Sequence, residues 1–308
     1  METCTETRTV QPVVAEAAAL EQKIRAKIES LSYLPTSAAV AMKFIELGKD
    51  PNAEPADYAK VIGADGSLSS KLLAMANSPW FGVRNRVTSV RMAVNLLGLG
   101  TVRTLAISYC MAGLHNGLKL TPQESRMFWE TALCRAAAAK QCAILLDPTK
   151  TDEAFMCGVF QDFALPIMFA VAKKPVADIL RNPKLTCQQH LEKERTLCRL
   201  DHAEIGRILA QKMELPELFV DAVAFHHRFD RLDDFIESDA LGRAVYVSSL
   251  FPATMDAWNH DDAAELCRFM EEHCRLQPEQ LGSFLWKVQE EYNRIFHFFE
   301  SGEACETQ

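Results

Sequence analysis

Residues 67–79 read SLSSKLLAMANSP, and this stretch indicates how the first third of the chain folds. Leu68, Leu72 and Met75 recur at the spacing that places side chains on one face of an α-helix. The sequence NSP at 77–79 then ends the helix, because proline cannot continue one. The stretch predicts a short amphipathic helix with a sharp end.

The helical pattern continues in both directions from this stretch. Towards the N-terminus, Leu20, Ile24 and Ile28 form the apolar stripe of a helix that starts at Glu16. Towards the C-terminus, the sequence TPQE at 121–124 is typical of a helix start with proline in the first turn. By the same reasoning we predict helices around 152–172, 187–213, 216–227 and 239–250, and two or three more between 261 and 299. Strand alternation is poor throughout, so the predicted fold class is all-α.

The composition, net charge and cysteine spacing exclude some classes of protein. The 308 residues are 48% hydrophobic and 24% charged, which is ordinary for a folded globular protein. The net charge of −8 argues against a nucleic-acid surface, which needs a basic stripe. The ten cysteines contain no Cys-x-x-Cys pair, and the N-terminal sequence lacks the apolar segment of a signal peptide. We therefore expect a cytoplasmic protein with reduced thiols and no membrane span.

A series of short motifs, in order along the chain, closely resembles the signature of HDOD domains. The series covers roughly residues 25 to 250. It comprises Leu34-Pro35, Ala59-Lys60-Val61-Ile62, Leu72-Leu73, Asn77-Ser78, Trp80-Phe81, Ala93-Val94, Leu97-Gly98, Phe128-Trp129, Gly158 to Asp162, Glu194, Asp201-His202, Leu215-Pro216 and His226-His227. The resemblance implies an all-helical domain related to the HD metal phosphohydrolases. It also implies a signalling or regulatory module of bacteria, in a family that commonly lacks a complete metal site.

This chain departs from the HD pattern at three ligand positions. Gln161 stands where the family commonly has the histidine of the His-Asp pair, and a neutral amide is a poor substitute for an imidazole. No histidine lies between His115 and His190, so the helix near Thr131 supplies no first ligand. Residues 247–249 read Val-Ser-Ser where the last aspartate is expected. The resemblance therefore predicts a degenerate HD site with no catalytic residue, metal or cofactor.

The remaining site residues, Asp162, His202, His226 and His227, have three interpretations. They hydrogen-bond one another and fix helix packing, as buried polar groups must. Alternatively, with Gln161 they line a metal-free pocket for a small ligand or a partner's side chain. The third interpretation is a working metal site, which needs several strong ligands from different helices.

Asn77, Trp80 and Phe81 are candidates for a contact between the two halves of the domain or with a partner. Asn77 either ends its helix in a left-handed conformation or bridges the halves through hydrogen bonds to loop backbone. Trp80 and Phe81 are either core aromatics or an exposed anchor for a partner.

Together these observations predict an N-terminal bundle of short helices packed on a degenerate HD-like helical half. The expected limits are a disordered N-terminus at 1–15, the two helical subdomains at 16–117 and 118–300, and a disordered tail at 301–308. The predicted function is non-catalytic regulation through binding of signalling proteins or a nucleotide-like small ligand. The alternative is a divergent metal-dependent phosphohydrolase or phosphodiesterase of the cyclic-nucleotide class.

Overall fold

The structure is a computed structural model. It describes residues 7–31, 40, 43–44, 46–48, 50, 52–77, 81, 83–100, 102, 106, 114–115, 117–235, 239–252 and 258–303. Helices and turns account for the regular structure of these residues, and none of them forms a strand. The all-α prediction is confirmed.

The helices are numbered in chain order within the described residues. They are α1 (Thr7–Ser30), α2 (Pro55–Gly63), α3 (Gly66–Ala76), α4 (Val90–Leu97), α5 (Pro122–Leu146), α6 (Thr151–Phe160), α7 (Leu165–Val171), α8 (Lys173–Leu180), α9 (Cys187–Cys198), α10 (His202–Lys212), α11 (Glu217–Phe225), α12 (Phe229–Phe235), α13 (Asp239–Ser249), α14 (His260–Cys274) and α15 (Pro278–Glu303).

The chain divides into two compact units. Unit 1 comprises Met1–Ser32 and Leu118–Gln289, and unit 2 comprises Tyr33–Gly117 and Glu290–Gln308. The expected 16–117 subdomain differs from this division, because α1 packs on α7 and α9 and so belongs to unit 1. Ile24 and Ile28 of the stripe seen in the sequence are buried, and Leu20 is partly buried.

Two predicted helices are each broken in two. The segment 152–172 is interrupted by a turn at 161–164, and the segment 187–213 is interrupted between α9 and α10. In the second case Arg199 has a left-handed φ of 66°, and Asp201 caps α10 by accepting a hydrogen bond from the Glu204 amide. Helical periodicity continues across both breaks, so the hydrophobic pattern alone did not reveal them.

The two terminal helices extend into the segments predicted to be disordered. Helix α1 begins at Thr7, within the segment 1–15, and α15 extends to Glu303, within the segment 301–308. Residues 1–6 and 304–308 lie outside the described residues.

Unit 2 has an apolar core built from α2, α3 and α4. Tyr58 and Phe44 meet edge to face at 5.3 Å, a geometry that aromatic pairs favour. Leu68, Leu72 and Met75, the three residues that the opening stretch placed on one helix face, are all buried there.

In unit 1, helix α5 packs against α6 and α13. The contact with α6 is closest at Gly158, where an added Cβ would lie 2.7 Å from the Ala136 Cα and 2.8 Å from the Arg135 carbonyl oxygen. Alanines 136–139 of α5 are all fully buried, so small side chains on both helices allow this approach.

One segment of unit 1 is long and apolar enough to cross a membrane. This segment, Pro148–Val171, comprises α6 and α7 with the turn between them, and 89% of its most apolar window is buried inside the protein. Such burial is typical of the core of a folded domain.

The close approach at Gly158 gives a stability prediction. Gly158→Ala places a methyl group against main-chain atoms of α5 that cannot move independently of the helix. We expect the free energy of unfolding to fall by about 1–3 kcal/mol or more, the usual effect of overpacking, as measured by urea denaturation.

Gly282→Ala is the matched control, because Gly282 lies inside helix α15 and an added Cβ would have nothing within 4 Å. There the substitution should raise stability by about 0.5–1 kcal/mol, since alanine favours a helix over glycine. Equal effects of the two substitutions would contradict the packing argument.

Candidate functional site

The turn at 161–164 presents Gln161 and Asp162 inside unit 1. Helix α6 ends at Phe160, and α7 starts at Leu165 with Pro166 in its first turn. Proline is tolerated there because the first amides of a helix have no intrahelical partner. Both Gln161 and Asp162 are buried, so the break between the helices brings two polar side chains into the core.

Three histidines from two other helix ends meet Asp162. His202 is the first residue of α10, and His226 and His227 directly follow α11. The His202 Nε2 atom lies 3.1 Å from both the His226 Nε2 and the His227 Nε2. The Asp162 Oδ1 atom lies 3.2 Å from the His202 Nε2 and 3.5 Å from the His226 Nε2. These residues converge on one buried point, with one potential ligand atom of each within 4.8 Å of the others.

Glu194 orients His202 from the opposite side. Its carboxylate accepts hydrogen bonds from the His202 backbone amide and contacts the Nδ1 atom of the ring, each at 2.8 Å. Burial alone would lower the pKa of His202, but the Glu194 and Asp162 carboxylates outweigh it and raise the pKa to about 10. His202 is therefore an imidazolium at neutral pH, with Nδ1 donating to Glu194 and Nε2 directed at the cluster.

The other two histidines are neutral. Burial lowers the pKa of His226 and holds the pKa of His227 well below its usual range. The His226 Nδ1 donates to the Val223 carbonyl oxygen at 2.8 Å, which leaves its Nε2 lone pair as an acceptor for the His202 Nε2 proton. The His202 Nε2 proton is therefore the donor at the point where the three rings meet.

Arg135 of α5 supplies the second positive charge of the cluster, in addition to the His202 imidazolium. Its Nε atom forms an ion pair with the Asp162 Oδ2 at 2.5 Å. Its Nη1 donates to the carbonyl oxygen of Ser249 at 2.6 Å, at the C-terminal end of α13. Burial would raise the pKa of Asp162, but Arg135, with His202 and His226, holds that pKa well below its usual range. Arg135 therefore neutralises Asp162 and also satisfies a carbonyl at a helix end.

The three positions at which the sequence departs from the HD pattern hold groups with other contacts. The Ser248 Oγ lies 2.7 Å from both the Gln161 Oε1 and the Val245 carbonyl oxygen, and its single proton can be donated to only one of them. The Thr131 hydroxyl donates to the Met127 carbonyl oxygen of its own helix at 3.1 Å. The Gln161 Nε2 atom has no hydrogen-bond partner among the described residues.

The cluster offers donors that could hold a metal ion. Imidazole and carboxylate donors at this spacing suit a single transition-metal ion, with Asp162, His202, His226 and His227 as its ligands. Such an ion would displace the His202 proton, so the net charge beside Arg135 would rise by one.

The other predicted site residues lie in unit 2. Asn77 donates from Nδ2 to the carbonyl oxygens of Leu73 and Val87 at 2.7 and 2.8 Å, and its Oδ1 accepts from the Val87 amide at 2.8 Å. Its φ of −94° is not left-handed, so Asn77 ends α3 through its side chain. Phe81 is half-buried against the unit 2 core, and Trp80 lies outside the described residues.

Sequence reasoning did not identify Arg135 as a site residue, and it noted Glu194 only as part of a motif. A signal for Arg135 was present, because it is the one charged residue in the stretch Ala132–Ala139 of a buried helix. Such a residue needs a buried partner of opposite charge. A similar signal was present for Glu194, which lies three positions after Leu191 and four before Cys198 and so shares their helix face.

The family of the chain is indicated by comparison with known sequences. The HDOD domain family model matches residues 34–229. A protein of Treponema pallidum (strain Nichols) is 25% identical over 218 residues, which cover 68% of this chain and 40% of that protein. The match thus spans about two fifths of the length of the curated relative.

Solved structures share the fold. An HDOD domain protein with unknown function from Geobacter sulfurreducens is 18% identical, with a TM-score of 0.62 over 90% of this chain and 99% of that one. A protein of Shewanella amazonensis SB2B, provisionally named as a phosphohydrolase, is 19% identical, with a TM-score of 0.60 over 91% of this chain and 97% of that one. At these identities the likeness shows the helical architecture alone.

The balanced charges of the cluster predict that His202 is essential for stability. His202→Ala removes the imidazolium that Glu194 and Asp162 face, and breaking a buried ion pair in this way costs about 3–5 kcal/mol. Urea denaturation in the presence of EDTA should show a loss of this size in the free energy of unfolding.

His260→Ala serves as the control, because His260 is almost fully exposed at the start of α14. That substitution should leave stability within about 0.5 kcal/mol of the wild type. A loss for His202→Ala no larger than the control's would refute the buried network.

Proposed function

The chain belongs to the HDOD family, and on this basis we propose that it is a regulatory protein of signal transduction that acts through binding and not through hydrolysis. The observation that carries the proposal is the ion pair between Arg135 and Asp162. In an HD hydrolase the carboxylate of the His-Asp pair faces a metal ion. Here a permanent side-chain cation occupies that role.

The charges of the cluster support this proposal. Asp162 and Glu194 supply two negative charges, and Arg135 and the His202 imidazolium supply two positive charges. A divalent ion that displaced the His202 proton would still add one net positive charge that no described group of the cluster balances, in an environment that is screened little by water. The network therefore favours its metal-free form.

Hydrolysis also lacks the groups that it needs. An HD-type reaction uses metal ions to lower the pKa of a bound water and to polarise a phosphoryl oxygen. Gln161, Ser248 and Thr131 stand at the missing ligand positions, and Gln161 and Ser248 are bonded to each other. Without these ligands two ions would not be held side by side, and we propose that the protein is a non-catalytic regulator. We also propose that it acts in the cytoplasm.

The second candidate function is a divergent phosphohydrolase with one metal ion. The specific observation in its favour is the convergence of three histidine Nε2 atoms and one carboxylate. The Glu194 contact to the Nδ1 of His202 would then act as the outer carboxylate that often orients a metal-ligating histidine. Metal analysis separates the two functions.

The proposal predicts that the purified wild-type protein retains far less than one equivalent of manganese, iron or zinc after dialysis against each metal. It also predicts no chelator-sensitive hydrolysis of bis(p-nitrophenyl) phosphate. Arg135→Met removes the competing cation and should increase the metal retained, whereas Arg126→Met, which breaks an exposed ion pair on the same helix, should not.

Gln161→His provides an independent variant that keeps Arg135 and so keeps the ion pair. It restores an imidazole at the missing position and should also raise metal retention above that of the wild type. About one ion per wild-type chain, together with hydrolysis that EDTA abolishes, would overturn the proposal in favour of the enzyme.

A further inference from the structure

Unit 1 contains a cavity of about 320 Å³ that adjoins the Asp162 cluster at Arg135. The volume lies at the lower end of the range of about 300–1,000 Å³ found for ligand sites. Most of its wall is apolar, and Phe128, Phe251 and Trp258 contribute aromatic rings to it. A cavity of this size and character suits a small molecule with an apolar body.

Asp262 places a negative charge in this apolar wall. It lies in the first turn of α14 and accepts hydrogen bonds from the Cys187 amide, with Oδ1 and Oδ2 at 3.2 and 3.1 Å. Among the described residues it forms no ion pair, and an ionised carboxylate has about four acceptor sites. Asp262 can therefore still accept hydrogen bonds from a cation in the cavity.

His190 offers a second acceptor. It lies one helical turn after Cys187 on α9, so both side chains are on the face of the helix that lines the cavity. Burial lowers the pKa of His190, which keeps the ring neutral at physiological pH. Its Nε2 atom is buried and has no hydrogen-bond partner in the described part of the chain.

The positive charges at the cavity do not offset Asp262. Arg135 is already paired with Asp162 and bonded to the Ser249 carbonyl oxygen. Arg181 is an exposed residue that follows α8, where water screens its charge. Trp258 and Phe251 meet edge to face at 5.1 Å, and aromatic faces attract cations. The lining thus favours a positively charged group on the ligand.

We infer that this cavity binds a small organic amine, whose ammonium group donates hydrogen bonds to the Asp262 carboxylate and the His190 Nε2 and whose apolar body packs against Phe128, Phe251 and Trp258. The inference rests on the proposed binding function and specifies its ligand. The cavity and the charged cluster are linked by contacts to one carbonyl oxygen. The Cys187 Sγ atom lies 3.4 Å from the Ser249 carbonyl oxygen and 3.5 Å from the Asp262 Oδ2, so its proton can be donated to either. Arg135 donates to the same Ser249 carbonyl oxygen.

The test is isothermal titration calorimetry of the full chain in EDTA with three probes of matched shape. The amine probe is 2-phenylethylamine, 2-phenylethanol is its neutral counterpart, and 3-phenylpropionate is an anionic counterpart. We expect the amine to bind at least tenfold more tightly than the alcohol, and the carboxylate not to bind.

Asp262→Asn removes the charge and retains an oxygen that can accept from the Cys187 amide. It should weaken binding of 2-phenylethylamine at least tenfold. Asp261→Asn is the matched control, since it makes the same change in net charge at an exposed neighbouring position, and it should leave the affinity unchanged. His190→Phe should also weaken binding of the amine, and it keeps the inference testable if Asp262→Asn does not fold.

The inference is overturned if the amine does not bind the wild type, if the alcohol binds as tightly, or if Asp262→Asn binds like Asp261→Asn. These outcomes are distinct from those that test the proposed function. Amine binding by a protein that proves to be a metal-dependent hydrolase would overturn the proposed function alone. Absence of amine binding, with no metal and no hydrolysis, would overturn the cavity assignment alone.

Discussion

The buried ion pair between Arg135 and Asp162 is the interaction on which the arrangement of unit 1 depends. A carboxylate inside a protein is tolerated only when a positive charge and hydrogen-bond donors compensate for its lost hydration. The close contact at Gly158 makes this compensation feasible, because it brings α5 and α6 together at the level of Arg135 itself. The contact between α5 and α6 therefore depends both on the close backbone packing at Gly158 and on the ion pair between Arg135 and Asp162.

From this pair the network extends to most of the helices that surround it. Asp162 meets His202 at the start of α10, His202 meets Glu194 of α9, and Arg135 reaches the end of α13 at Ser249. A metal ion in an HD hydrolase joins helices by coordinating one ligand from each. In this protein a guanidinium and an imidazolium join them through directional contacts.

The fold was predictable from the sequence to a large extent, because helical periodicity and the ordered motifs are local signals. The convergence of Asp162, His202, His226 and His227 followed from the family pattern, although spacing along the chain could not supply it. The hydrogen-bond partners of the site residues were not predictable. That Gln161 bonds Ser248, 87 positions away, depends on tertiary contacts alone. The helix breaks at 161–164 and at Arg199 were missed for the same reason, since the apolar pattern is set by burial and continues through a turn.

The division of unit 1 into two separate chain segments has a consequence for synthesis on the ribosome. Helix α1 ends at Ser30, but the helices on which it packs, α7 and α9, end at Val171 and Cys198. At roughly 5–20 residues per second, on the order of ten to thirty seconds pass between the emergence of α1 and that of α9. During that interval unit 2 can complete most of its core, while the apolar face of α1 stays without its native partners. The nascent chain therefore exposes an apolar helix face early in translation.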